Sequence, residues 1–339
     1  MRWRATGGLA AACAAALVMS ACSSGQETSS GPDVKKKTGH ISISYLQKQG
    51  DQQYFVDEAN GAKAEAKKLG DVQVNVVNLA LDSNKAISEM DTAVARKSDG
   101  IAMVAPDQKI GPQVIDKARQ AKVPFVASDD VLKDGKGKDV PFVGFDGTSM
   151  GRKVGAEAAT LYKKAGWKAS DTRIIAAWKQ DLSVCSQRVD GAKAAFGEGV
   201  QASDVPKTIK LGTDNTPTDA QNKASATLNA NSGVKHWIVW GCNDENTTGV
   251  VTALQNAKVA PDDIIGVGLG AYLACKDWKA GQDSGNKAAL FINGEDVGAL
   301  AVRDLVTSLR SGKQMPPQTI APTKMVDASN WKQAGVKCT

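Results

Sequence analysis

From His40 onward the chain alternates between two kinds of pattern. Short runs rich in β-branched and other apolar residues, HISISYL, VQVNVVNLA, GIAMVA, VPFVAS and PFVGF, form a first series. TRIIAAW, PKTIKL, KHWIVWG, DIIGVGL and KAALFIN form a second series after Phe145. Such runs read as buried strands. Between them lie segments such as QYFVDEANGAKAEAKKL, in which Val56, Ala59, Ala62, Ala66 and Leu69 recur at helical spacing. Strand starts recur roughly every 20 to 35 residues, the length that a parallel strand, a crossover helix and a return require. About 300 residues is too much chain for one core. The pattern therefore predicts two similar α/β lobes, each a doubly wound parallel sheet.

What precedes His40 differs in kind. MRWRATGGLAAACAAALVMSAC carries two arginines, an apolar run from Leu9 to Met19 and small residues before Cys22. It reads as a secretory signal, too short to span a bilayer. Met19-Ser20-Ala21-Cys22 resembles the bacterial lipobox, whose cysteine is acylated and becomes the mature N-terminus. On this reading residues 1–21 are a lipoprotein signal peptide and Cys22 is the lipid anchor. Residues 22–38, rich in Ser, Gly and Lys, predict a flexible tether. The expected location is extracytoplasmic, on the bacterial cell membrane. Loss of Arg2 and Arg4 lowers the formal charge from +6 to +4. The remaining basic residues are interspersed with acids and aromatics are few, which argues against a nucleic-acid surface.

Once Cys13 leaves with the signal and Cys22 carries lipid, Cys185, Cys242, Cys275 and Cys338 remain. Outside the membrane four cysteines allow three pairings. Cys185 with Cys242 and Cys275 with Cys338 is the preferred one, and free buried thiols are the alternative. There is no CxxC, and His40 and His236 have no partners at metal-ligand spacing, so no metal site is expected.

In open parallel sheets ligands sit outside the carboxyl ends of the strands. Those ends are rich in hydrogen-bonding groups here. The first is followed by QKQGDQQYF, with Lys48, Gln52, Tyr54 and Phe55, and the fourth by Asp129 and Asp130. In the second series IIAAWKQDLSVCSQR supplies Trp178 and Arg188, and WIVWGCND ends in Asn243 and Asp244. Polar groups that donate and accept, with aromatic rings close by, suit a sugar, whose hydroxyls do both while its C–H face packs on a ring.

These residues resemble the periplasmic sugar-binding proteins of ABC transporters, and among them the L-arabinose-binding branch. The similarity runs from about Ile41 to Trp331 and is most specific in APDQKIGPQVIDKAR, VKHWIVWGCND and DDIIGVG. The resemblance implies a type I periplasmic binding protein, two lobes joined by a three-strand hinge. Residues 39–145 plus 293–319 would form the N-terminal lobe, and 146–292 plus 320–339 the C-terminal lobe, with crossings near 142–147, 290–294 and 317–322. It makes Lys48 a cation reaching sugar oxygens, with Gln52 where the branch has an acid, and Tyr54 and Phe55 an aromatic wall. Asp129 and Asp130 match an aspartate pair whose second member accepts from sugar hydroxyls. Phe145 falls at the first crossing, where a methionine lines the site. Arg188 matches a donor to the ring oxygen or its neighbour, and Asn243 a group that donates and accepts. At Gly270 the branch has a sugar-binding asparagine, so this chain lacks one donor and acceptor there unless Tyr272 or water replaces it.

Other readings compete. Asp129 and Asp130 also suit a helix cap, and Asn243 an N-cap for the segment after it. Paired carboxylates suit a glycosidase, but neighbours at a strand end point to opposite sides and do not flank one bond. GVGLGA fits a dinucleotide pattern but lies in the last βα unit of its lobe rather than the first. The expectation is thus a non-catalytic receptor without cofactor, monomeric, that captures an aldose such as arabinose, galactose or xylose and delivers it to a membrane permease. A lipoprotein that reports the sugar to a membrane kinase, or a receptor for an oligosaccharide or non-sugar solute, is the alternative.

Overall fold

The computed structural model describes residues 34–338, so the expected signal, Cys22 and most of the tether lie outside the described residues. The first series folds as β1 (Ile41–Gln47), α1 (Gln53–Leu69), β2 (Val72–Asn78), α2 (Ser83–Ala95), β3 (Gly100–Met103), α3 (Gly111–Gln120), β4 (Phe125–Asp129) and β5 (Phe142–Gly144). The second folds as α4 (Gly147–Ala165), β6 (Thr172–Trp178), α5 (Ser183–Gly199), β7 (Lys207–Gly212), α6 (Pro217–Asn229), β8 (His236–Gly241), α7 (Asp244–Asn256), β9 (Ile264–Gly270), α8 (Cys275–Ala280) and β10 (Asn286–Ile292). α9 (Gly294–Ser311), β11 (Gln318–Ile320) and β12 (Thr323–Val326) complete the chain.

These strands make two six-stranded sheets, ordered β11-β5-β4-β3-β1-β2 and β12-β10-β9-β8-β6-β7. Neighbours pair in parallel except β12, which runs antiparallel to β10 at the edge of the second sheet. The fold is two parallel-sheet α/β lobes, with the sheet order reversing beside β1 and beside β6. The chain passes between the sheets after β5, between β10 and α9, and between β11 and β12, because α9 packs on α1 while β11 and β12 join different sheets. No described helix is long and apolar enough to cross a membrane.

The strand runs read as continuously apolar because each strand feeds two cores. In β6, Ile174, Ala176 and Trp178 join the core under α4 and α5, while Ile175 and Ala177 face the one under α6 and α7. β1 does the same with Ile41, Ile43 and Tyr45 on one side and Leu46 on the other. The α1 stripe departs from the expected one. Tyr54, Phe55, Glu58, Ala59, Gly61, Ala62, Glu65 and Ala66 are buried, whereas Val56 and Leu69 are half-buried. Two carboxylates therefore lie in a face that apolar spacing alone does not reveal. β11 and β12 were not anticipated as strands, being short, largely polar and little buried.

Candidate functional site

The carboxyl end of the first sheet is built by β1, α1 and β4. The Lys48 ammonium lies 2.8 Å from Asp130 Oδ2, both side chains being largely buried, and 5.7 Å from the centre of the Phe55 ring. Burial alone would lower the Lys48 pKa, but the Asp130 charge overcomes it and the net shift is upward. Tyr54 donates to Asp129 Oδ1 at 2.8 Å and packs edge-on against Phe55, with centroids 5.2 Å apart.

The two aspartates do not diverge as consecutive strand residues should. Asp129 has φ +63°, the left-handed region that non-glycine residues seldom occupy, so the chain turns at once and both carboxylates meet groups of the β1–α1 segment. Burial raises the Asp129 pKa, the Asp130 charge adds to the rise, and Arg188 and Lys48 oppose it. The opposition of Arg188, on α5, brings a second-lobe cation within electrostatic reach of both aspartate and lysine.

Beneath this layer is a carboxyl group that apolar spacing concealed. Glu58, fully buried and one helical turn after Tyr54, accepts from Tyr45 Oη at 3.0 Å and from Ser128 Oγ at 2.9 Å. Burial, then the Asp129 charge, pushes its pKa far above the usual carboxylate range. Helix α1 thus grips the end of β4 twice, at Ser128 through Glu58 and at Asp129 through Tyr54. The available signal was the i, i+4 spacing of Tyr54 and Glu58.

On the second lobe the scaffolding is covalent and backbone-based. Cys185 on α5 is disulfide-bonded to Cys242 just after β8, and Cys275 to Cys338. Arg188, three residues after Cys185, donates to the Cys242 carbonyl at 3.1 Å, leaving its buried Nε without a protein acceptor. Gly151 allows α4 to approach α5 closely, since a Cβ there would lie 1.9 Å from the Arg188 carbonyl oxygen. Trp178, at the end of β6, also has a buried indole N–H without a protein partner. Donors of this kind call for an acceptor from solvent or ligand.

Asn243 takes the capping role that its sequence position suits. Its carbonyl caps α7 by accepting from Asn246 N at 3.0 Å, and its NH2 donates to the Asn215 carbonyl at 3.1 Å, within the second lobe. An amide has two N–H donors, so one remains. Phe145 packs in the core that joins the lobes. Gly270 has φ +136°, and a Cβ there would meet the Tyr272 ring at 2.6 Å, so the tyrosine occupies the space of any side chain at that position.

One direct bridge between the lobes brings in Glu245, which the sequence did not single out. Gln52 donates to Glu245 Oε1 at 2.9 Å, and Tyr272 Oη lies 2.8 Å from both Glu245 oxygens. Burial pushes the Glu245 pKa up to about 7. Its neighbour Asp244, fully buried, accepts from the backbone of Leu273 at 2.6 Å and of Ala274 at 3.2 Å, and burial pushes it up to about 6. Asp244 holds the β9–α8 loop, and with it Tyr272, against α7. A second bridge joins Ser183 Oγ to Gln108 Oε1 at 2.8 Å.

Residues 43–314 match the periplasmic binding protein domain. The chain is 27% identical over 298 residues to an "ABC transporter L-arabinose-binding periplasmic protein" of Azospirillum brasilense, covering 86% of this chain and 88% of the relative. It is 28% identical over 254 residues to the L-arabinose-binding periplasmic protein of Escherichia coli, covering 73% and 75%. Among solved structures, a periplasmic solute-binding protein of an ABC transporter from Actinobacillus succinogenes, with bound D-allose, superposes with a TM-score of 0.73 at 24% identity, covering 86% of this chain and 99% of that one.

Proposed function

The chain belongs to the periplasmic binding protein family, and on that premise we propose that it is the monosaccharide receptor of an ABC transporter, tethered to the membrane through acylated Cys22. It closes its two lobes on an aldose and presents the closed form to the permease. The observation that carries this reading is the buried Lys48–Asp130 pair beside the Phe55 ring, with Asp129 and Arg188 within electrostatic reach. Charged acceptors and donors make hydrogen bonds to hydroxyls about twice as strong as neutral ones. A few of them in a water-excluding cleft support micromolar affinity, about −8 kcal/mol. The aromatic pair Tyr54 and Phe55 offers a face for sugar C–H groups, and relatives named for L-arabinose binding support a sugar as the ligand.

Ligand contacts from both walls make closure favourable, because a ligand shifts a two-state equilibrium by its difference in affinity for the two states. Lys48, Gln52, Tyr54, Phe55, Asp129 and Asp130 form the first wall, with Arg188 and the remaining amide hydrogen of Asn243 opposite. Asp130 is held by a lysine and Asp129 by a tyrosine, an arrangement that favours binding over glycoside cleavage.

Calorimetric titration of residues 38–339 with L-arabinose, D-galactose, D-xylose, D-glucose and D-ribose tests the reading. One-site binding of at least one sugar at micromolar affinity is the expected result. No heat from any of the five overturns the monosaccharide assignment.

A further inference from the structure

Three strand ends from two lobes meet at Glu245. It opens α7 after β8, Tyr272 follows β9, and Gln52 precedes α1 in the first lobe. Glu245 is 9% exposed, and its partners are Gln52, Tyr272 and its own backbone N–H, none of them a cation. That sets it apart from Asp130, whose charge is matched by Lys48.

The donor count at Glu245 is short. Tyr272 has one hydroxyl hydrogen and serves one carboxylate oxygen at a time, although both lie 2.8 Å away. Gln52 serves Oε1 alone. A carboxylate offers about four acceptor positions, and the backbone N–H of Glu245 is a third donor, so Glu245 retains capacity for one further donor. Tyr272 is held in place twice, by its hydroxyl on Glu245 and by the Asp244-anchored loop, and its ring fills the space beside Gly270. A fixed acceptor and a rigid ring at one corner of a cleft select for shape and for hydroxyl position together.

We propose that Glu245, braced by Tyr272, is a specificity-determining residue of the sugar site, accepting one hydroxyl of the ligand at the corner where Gln52 reaches it from the opposite lobe. The assignment rests on the monosaccharide reading. It predicts discrimination among sugars that differ at one hydroxyl, because a site built to accept a hydroxyl rejects a ligand lacking it by leaving a buried group unpaired.

The test is calorimetric titration of wild type, Glu245→Gln and Tyr272→Phe with the five aldoses and with the monodeoxy analogues of whichever binds best. Glu245→Gln preserves an oxygen for Tyr272 and removes the charge, and Tyr272→Phe keeps the ring while removing the hydroxyl, so a folding failure of one leaves the other informative. The expected result is at least a tenfold loss for the best sugar in Glu245→Gln, with less than a threefold change for one monodeoxy analogue. Tyr272→Phe should narrow the same ratio. An equal loss for every ligand, or unchanged affinity for all, overturns the assignment and leaves Glu245 a brace between lobes. Silence of the wild-type protein toward every sugar is a different failure, because it removes the monosaccharide reading first.

Discussion

The two walls of the proposed sugar site are built from the same βα unit and stiffened by different means. On the first lobe, polar side chains hold one another: Lys48 with Asp130, Tyr54 with Asp129, and Glu58 with Tyr45 and Ser128. On the second, Arg188 and Asn243 are held by a disulfide, a backbone carbonyl and a helix cap. The difference lies in what is left behind when one member is removed. In the first wall a deletion strands a buried charge, so binding and stability fall together. In the second the scaffold survives loss of the side chain, so binding is separable from stability.

The largest expected effect comes from dismantling the second wall's scaffold itself. Replacing Cys185 and Cys242 by alanine opens a link between residues 57 positions apart, which the chain-entropy account values at about 4 kcal/mol. A chemical denaturation midpoint that moves by less than a quarter of that size would show the cross-link to be incidental. Next is Asp130→Ala, which leaves Lys48 buried and unpaired and should cost about 3 kcal/mol, together with at least a tenfold loss of sugar affinity. If denaturation is unchanged, the first wall is not mutually dependent and the comparison fails.

The second wall also holds a carboxyl group without a cation, and pH exposes it. Asp244 titrates near 6 when folded and near 3.9 when unfolded. Because the folded form holds its proton more tightly, the group's contribution to stability is greatest below about pH 4, declines as pH rises to about 6, and is level above that. The decline is roughly 2 to 3 kcal/mol. Asp244→Asn should remove it, so the stability difference between variant and wild type, followed by denaturant unfolding from pH 4 to 7, should grow with pH. A flat difference would mean that the carboxyl ionises as freely as an exposed one. The smallest effect is reserved for Arg188→Ala: about tenfold weaker sugar binding, near 1.4 kcal/mol, with an unchanged melting temperature.

The comparison also explains what was legible in the sequence. Strands β1 to β10 were readable because residues such as Ile174 and Ile175 are both apolar, each facing its own core. Lys48, Asp129 and Asp130 were singled out because charge at the end of an apolar run stands out, and Arg188 because a family resemblance points to it; the folded chain brings Lys48 against Asp130. Glu58 was hidden by a helix that also carries Asp57 and Glu65, since its i, i+4 spacing from Tyr54 is only a faint local sign of a carboxylate that turns inward. Glu245 was hidden because its partners, Gln52 and Tyr272, are 193 and 27 residues away. The dual service of Asn243, cap and lobe-internal donor, depends on Asn215, whose position only the folded chain defines.

The three crossings between the sheets have a mechanical consequence. Each is short, and the last contains Pro322, whose ring fixes one of its backbone torsions. Three short straps fastened to the same two plates form closed linkages, so a rotation at one must be matched by the other two. Twisting and sideways sliding shorten some straps and stretch others, while bending about a common line does neither. Such a linkage favours bending about one line over twisting or sliding, so any approach of one lobe to the other is expected to follow that one direction.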